Sequence, residues 1–245
     1  MRVGCLLSYK RLAGIHRAVV LVVCLVCAVR PSFSQPRTPT KSELPKERAN
    51  TFSLYGGMGV KLGAAPAMVD YINTIADPSQ RASDFATDVE FFGGTEFPLG
   101  DEWGGALEYA YLFKSYTLAT SNAGTYTLFY NIQMPTAIVQ YVIPGKGYFV
   151  KFGGGIGYHA GSVEQSNSLY GTDSTYTARG FGIKANIVGE TAFDEHLFGY
   201  ISGDMRWEFF GKLKNSKGNE LRNFGQTASL SMFIVGIGFG LIYYF

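Results

Sequence analysis

A chain of 245 residues with 15% aromatic and only 16% charged residues is poorer in charge than soluble domains, where about a quarter is usual, and its 31 glycines, 16 tyrosines and 19 phenylalanines suit tightly paired strands against an apolar medium. The formal charge of +2 gives no support to a nucleic-acid partner, because five Lys/Arg and no Asp/Glu lie in the first 34 residues, leaving −3 for the remainder. Cys5, Cys24 and Cys27 sit in the same stretch, so the remainder has no disulfide framework, thiol nucleophile or cysteine-ligated metal.

Residues 1–34 follow the grammar of a cleavable signal peptide: Arg2, Lys10, Arg11 and Arg17 precede an apolar run from Ala18 to Val29. That run is shorter than the roughly 20 residues a membrane-spanning helix needs. Ser32 and Ser34 place the cut before Gln35, with the late Arg30 leaving room for a site a few residues away. A lipoprotein signal needs a small residue before its cysteine, whereas Val23 precedes Cys24 and Val26 precedes Cys27. Residues 35–50 (QPRTPTKSELPKERAN) are polar and Pro-rich, the composition of a flexible periplasmic tail.

From 51 to 245 apolar residues recur at every second position in eight segments, the period of strands with two unlike faces. The predicted spans are Thr51–Leu62, Asp84–Phe97, Trp103–Leu118, Tyr126–Ile143, Gly147–Val163, Thr177–Phe193, His196–Leu213 and Thr227–Phe245. Connections at 98–102, 144–146 and 194–195 are short and rich in Pro, Gly and Asp, whereas 63–83, 119–125, 164–176 and 214–226 are longer, a rhythm of outer-membrane barrels. An eight-stranded antiparallel up-and-down transmembrane β-barrel, all-β, is the expected fold.

One face of the segments is apolar, as in Phe52, Leu54, Met58 and Val60, then Leu107, Tyr109 and Phe113, then Ile201, Met205, Trp207 and Phe209. A Lys or Arg near mid-depth in hydrocarbon costs about 2–4 kcal/mol, which explains why no charge falls there. The opposite face carries Lys61, Asp88, Glu90, Glu96, Glu108, Lys114, Lys151, His159, Lys184, Glu190, Asp204, Arg206, Glu208 and Lys212, seven acids against six bases plus His159. Near balance points to a packed ion-pair network rather than an open conduit, with Lys184 beside Asp204 and Arg206, and Asp88 or Glu90 near Lys114 or Glu108. A soluble sandwich shares the alternation, but the strand lengths, the signal and the end-of-strand aromatics Trp103, Tyr141, Tyr148, Phe193, Tyr243 and Phe245 favour a membrane interface. In the fourth segment Leu128, Tyr130, Ile132 and Met134 hold one parity and Ala137, Val139, Tyr141 and Ile143 the other, so a β-bulge is expected at Met134–Thr136, around Pro135.

The last segment ends in Phe245 with Tyr243, Leu241, Phe239 and Ile237 each two residues apart. This resembles the C-terminal signature of outer-membrane β-barrels, and the stretch from 51 to 245 resembles the small OmpX/OmpA-type barrels, without a C-terminal peptidoglycan-binding domain. The resemblance implies recognition by the barrel-assembly machinery and contact with outer-membrane lipid in a Gram-negative-type bacterium. Read as a helix, Ala228–Phe245 is long enough for a membrane span, yet Gly236, Gly238 and Gly240 at period two favour a strand. Glycine groupings at 153–157 and 180–182 are followed by no helix pattern and do not read as phosphate loops.

His196 falls in a predicted turn. His159, expected near the extracellular rim with Ser162 and Glu164 close in sequence, is the one candidate for lipid-modifying chemistry; in an extended strand His159 and Ser162 face opposite ways, so a lumen-lining histidine is the preferred reading. The expectation is a non-enzymatic barrel without cofactor or metal, structural or surface-interacting through its four long loops, the alternatives being a narrow solute channel and a lipid-modifying enzyme. The first loop (GAAPAMVDYINTIADPSQRAS) is apolar enough to fold over the mouth or to meet an extracellular ligand.

Overall fold

A computed structural model describes residues 51–77, 79, 81–82, 85–120, 124–167, 172–223 and 225–245; the expected signal peptide (1–34) and tail (35–50) lie outside the described residues. The elements in chain order are β1 (Ser53–Ala64), α1 (Pro66–Asn73), β2 (Phe85–Pro98), β3 (Trp103–Thr120), β4 (Gly124–Pro144), β5 (Tyr148–Asn167), β6 (Thr172–Ala192), β7 (Leu197–Phe210), β8 (Arg222–Asn223), β9 (Gln226–Thr227) and β10 (Met232–Tyr244). Eight strands close into an antiparallel barrel in the order β1-β10-β7-β6-β5-β4-β3-β2, and β8 and β9 form a small separate hairpin. The last strand seals against the first, from Ser53 opposite Tyr244 to Ala64 opposite Phe233. Closure pairs every barrel strand on both sides, the condition hydrocarbon imposes on any spanning sheet.

Each predicted strand is present, and the ends differ where alternation loses its meaning. β5 reaches Asn167 and β6 begins at Thr172, beyond the expected Val163 and Thr177. Their outer ends pair backbone to backbone, from Val163 opposite Tyr176 to Asn167 opposite Thr172, in Ser/Thr-rich sequence without the apolar face from which strands are recognised. β7 and β10 are shorter than expected, ending at Phe210 and starting at Met232.

The expected bulge at Met134–Thr136 is absent. β3 and β4 stay in one register from Trp103 opposite Tyr141 to Thr120 opposite Gly124, with Leu128, Tyr130, Ile132, Met134, Thr136, Ile138, Gln140 and Val142 all buried inward. Pro135 faces outward, and on its β5 side the pairing passes from Gln133–Ala160 directly to Thr136–Gly157. The apolar inward run misleads the parity argument because the lumen itself is apolar over the outer half of β4. A bulge occurs elsewhere: Gly180 pairs with Phe210, yet Thr177 pairs with Lys214, so one extra residue lies on the later side. Facing swaps there, leaving Leu213 fully buried and Lys212 and Lys214 exposed. Lys212 is therefore not a lumen residue.

Outward-facing side chains make an apolar belt, including Leu54, Met58, Leu107, Tyr109, Ile156 and Ile201, each 44–70% exposed. The first long connection is not a plain loop, because α1 starts with Pro66 in its first turn, where a missing N–H has no partner to lose. It buries Met68, Val69, Tyr71 and Ile72. Met68, Tyr71 and Ile72 join one apolar cluster with Leu118, Leu128, Val163, Leu213, Leu221 and Leu230. The long-loop end of the barrel is thereby capped by its own sequence.

Candidate functional site

The inward face arranges its charges in two clusters linked by aromatic rings. Toward the short-turn end, Lys151 Nζ lies 2.5 Å from Glu96 and 2.6 Å from Glu190 and donates to Tyr244 Oη at 3.0 Å, while Tyr244 donates to Glu190 at 2.5 Å. Gln140 Nε2 and Ser53 Oγ donate to Glu96 at 2.9 and 3.1 Å. The rings of Phe149, Phe198 and Tyr244 pack 5.0–5.9 Å apart beneath. A hollow of about 20 Å³ beside Lys151 and Gln140 has room for roughly one water molecule.

At mid-lumen Arg206 is 2.9 Å from Glu108, 3.3 Å from Glu90 and 3.3 Å from Asp204. Lys61 reaches Glu90 at 3.1 Å and also bonds Asp204. Lys184 sits opposite Arg206 in the β6–β7 register as expected, but its ammonium spans the lumen to Glu108 at 2.7 Å. Tyr55 Oη donates to Glu108 at 3.3 Å, and its ring stacks on Tyr200 at 5.6 Å. Of the two acids expected near Lys114 or Glu108, Asp88 is the one on the Lys114 side, and Glu90 meets Lys61 and Arg206. Lys114 is half-buried and donates to the carbonyl of Thr87, beside Asp88, at 2.8 Å. Asp88 accepts from Tyr130 Oη at 2.8 Å.

With Lys212 outside and Lys114 half-buried, the expected balance of charge shifts. Among the described residues, seven buried acids face four buried Lys/Arg side chains and His159. Neutral donors offset part of the difference: Ser53 and Gln140 serve Glu96, Tyr244 serves Glu190, Tyr130 serves Asp88 and Tyr55 serves Glu108, while Asp88 Oδ2 and Glu208 Oε1 stay without a hydrogen bond. Sequence reasoning misses these partners because none is ionic: Ser53 and Tyr55 share the parity of Lys61 on β1, but β4 and β10, which carry Tyr130, Gln140 and Tyr244, have no charged position to mark their inward face. A buried acid with one cation and several hydroxyl or amide donors replaces much of the hydration that burial removes.

His159 is 2% exposed and lines the lumen, in line with the preferred reading, and neither Ser162 nor Glu164 is its partner. Its Nδ1 lies 2.6 Å from Glu208 and its Nε2 3.3 Å from Thr136 Oγ1, whereas Ser162 accepts from Asn131 at 2.8 Å and Glu164 is exposed. Hydroxyl, imidazole and carboxylate thus follow the order of a hydrolytic triad. The Thr136 hydroxyl, however, donates to the carbonyl of Met134 at 3.2 Å, and Thr136, His159 and Glu208 are each at most 4% exposed. Substrate has no approach, so the chain of bonds acts as a strut across β4, β5 and β7. Gly182 makes room for it, since a Cβ there would lie 2.4 Å from His159 and 2.6 Å from Glu208.

The remaining expected positions face outward or cap the ends. Trp103 (52% exposed) packs edge-on to Tyr141 at 5.4 Å, and Tyr148 is 48% exposed. Ile237, Phe239, Leu241 and Tyr243 lie on the outer face of β10, and Phe245, just beyond it, is exposed and packs on Phe52 at 5.6 Å. His196 Nδ1 donates to the carbonyl of Tyr244 at 2.7 Å, and the imidazole stacks on Tyr243 at 5.5 Å. At the opposite end, Tyr71 and Tyr126 both donate to Gln165 Oε1, at 3.1 and 2.7 Å, and Asn223 donates to Thr74 Oγ1 at 2.9 Å. These bonds tie α1 and the turn after it to β4, β5 and the β8–β9 hairpin.

No family model matches the sequence, and no curated protein does. Among solved structures, the attachment invasion locus protein Ail of Yersinia pestis is 12% identical over 80% of this chain and 99% of its own, with a TM-score of 0.50. This chain has the fold of the small outer-membrane β-barrels. A major outer-membrane protein of Thermus thermophilus aligns over 80% of this chain and 100% of its own at 11% identity (TM-score 0.49). Neisserial surface protein A aligns over 79% and 97% at 11% identity (TM-score 0.47). At such identity the likeness is one of fold, and the side chains of the lumen and the loops are this chain's own.

Proposed function

We propose that the protein is an integral barrel of a Gram-negative-type outer membrane, non-conducting and non-enzymatic, whose interior is structural and whose long-loop end is the surface for an extracellular partner. The observation that carries this reading is the filled lumen: ionic clusters below, apolar side chains above, and α1 docked over them with Met68 and Ile72 fully buried. Eight strands enclose a space about filled by side chains, and here the side chains interlock across it. In this orientation the short turns and both chain ends of the barrel are periplasmic, and Trp103, Tyr141 and Tyr148 lie at the inner interface. The outward apolar face of β10, ending in Phe245, suits recognition by the assembly machinery.

The test is a planar-bilayer recording on refolded protein. Baseline current across the physiological voltage range is expected; unitary conductance steps that change when Lys151 or Arg206 is neutralised would replace this reading with that of a narrow channel. Activity toward lipid that disappears in His159→Ala would replace it with that of an enzyme.

A further inference from the structure

The bulge after Phe210 does more than remove Lys212 from the lumen. Gly211 N donates to the carbonyl of Arg179 at 3.1 Å, and Thr177 pairs with Lys214, which pairs in turn with Glu220. Continued by two residues, this antiparallel register sets Arg179 beside Lys212 and Lys212 beside Arg222. Side-chain bonds agree, for Glu220 accepts from Lys212 at 2.8 Å and also from Arg222. Arg179, Lys212, Lys214 and Arg222 thus share one outward surface with, among the described side chains, a single acid, Glu220, and all four cations are exposed. The hydrogen bond from Lys212 holds the Glu220 carboxyl below the usual range, so it is ionised at neutral pH and the surface keeps a net charge of about +3.

The height of this surface matters as much as its sign. Arg179 is two residues beyond Phe181 on the same face of β6, and Phe181 stacks on Phe209 at 5.0 Å, both rings open to the outside. The cations therefore stand at the upper edge of the apolar belt, where hydrocarbon gives way to headgroups. Like charges opposite one another on a sheet are destabilising, and Glu220 neutralises only part of the row. Guanidinium groups pair with phosphate oxygens through two parallel hydrogen bonds.

We propose that Arg179, Lys212, Lys214 and Arg222 form a binding surface for the phosphate groups of outer-leaflet lipids. The inference rests on the outer-membrane reading above and specifies one wall of the barrel, β6–β7 and the loop that follows, as the lipid-selective side. Glu164, an acid on the outward face of β5, lies opposite Thr175, farther from the belt.

The probe is bis-phosphorylated lipid A added to the refolded full-length protein in zwitterionic micelles, with retention read by native mass spectrometry. Lipid A is expected to bind and its phosphate-free form to bind at least tenfold less, and the triple variant Arg179→Gln, Lys212→Gln, Arg222→Gln to lose about tenfold in affinity. Lys217→Gln, at the turn of the same loop, is the control and leaves binding unchanged. A heat-dependent gel shift reports that each variant keeps a folded barrel. Equal retention of lipid A by the triple variant overturns the inference, as does binding of soluble dextran sulfate without binding of lipid A. Membrane fractionation separates the two readings: absence from the outer-membrane fraction sinks the location, whereas presence there with an indifferent triple variant sinks the lipid surface alone.

Discussion

Arg206 shows at the level of one residue why the interior is filled rather than open. It is 1% exposed and touches carboxylates from β2, β3 and β7. Removing one partner of such a group leaves buried charge uncompensated, so Arg206→Met is expected to cost about 3–5 kcal/mol in urea unfolding from lipid vesicles. In Lys184→Met combined with Glu108→Leu, the cation leaves together with its acid, while Arg206 keeps Glu90 and Asp204. The double variant is accordingly expected to lose less stability than the two single variants summed, a difference that a double-mutant cycle measures. Gly182→Val tests the strut: a side chain at 182 collides with His159 and Glu208, and overpacking of this kind costs about 1–3 kcal/mol. Charged inward positions are legible in the sequence from their shared parity. Their partners are not, because which carboxylate a long Lys or Arg meets across a lumen depends on strand tilt and not on neighbours along the chain.

At the scale of elements, α1 decides how the barrel ends. Its apolar side chains lie within a stretch that sequence reasoning places in a loop able to cover the mouth, and the helix is the form that the covering takes. Met68→Ala and Ile72→Ala each vacate a fully buried site, at an expected cost of about 2–5 kcal/mol. Faster proteolysis within 65–82 is the accompanying sign that the cap has loosened. β4 and β7 carry the complementary lesson. The expected bulge at Pro135 is missing and an unexpected one follows Phe210. Both errors come from reading facing off local parity: β4 lines an apolar part of the lumen, and Lys212 obeys an alternation that Gly211 interrupts. Pro135→Val supplies an N–H toward β5 and is expected to leave the β3–β4 register unchanged, with slower amide exchange at the neighbours of 135 by hydrogen-exchange mass spectrometry.

For the molecule as a whole, the prediction is electrical. Deleting 65–82 removes the cap yet leaves the Lys151 and Arg206 clusters in place, so the variant is expected to stay non-conducting in planar bilayers. Current in the deletion variant but not in the intact protein would show that α1 is the sole barrier and that the ionic clusters admit water and ions. The strand count, their order of succession, the antiparallel sense and the side that most strands turn outward were determined by the sequence, because hydrocarbon excludes charge and period-two alternation records that exclusion residue by residue. Tertiary structure alone decided which carboxylate meets which cation, where facing swaps, and how the loops close the mouth. Those outcomes depend on strands far apart in the chain being brought into register around a closed ring, and no local pattern carries that information.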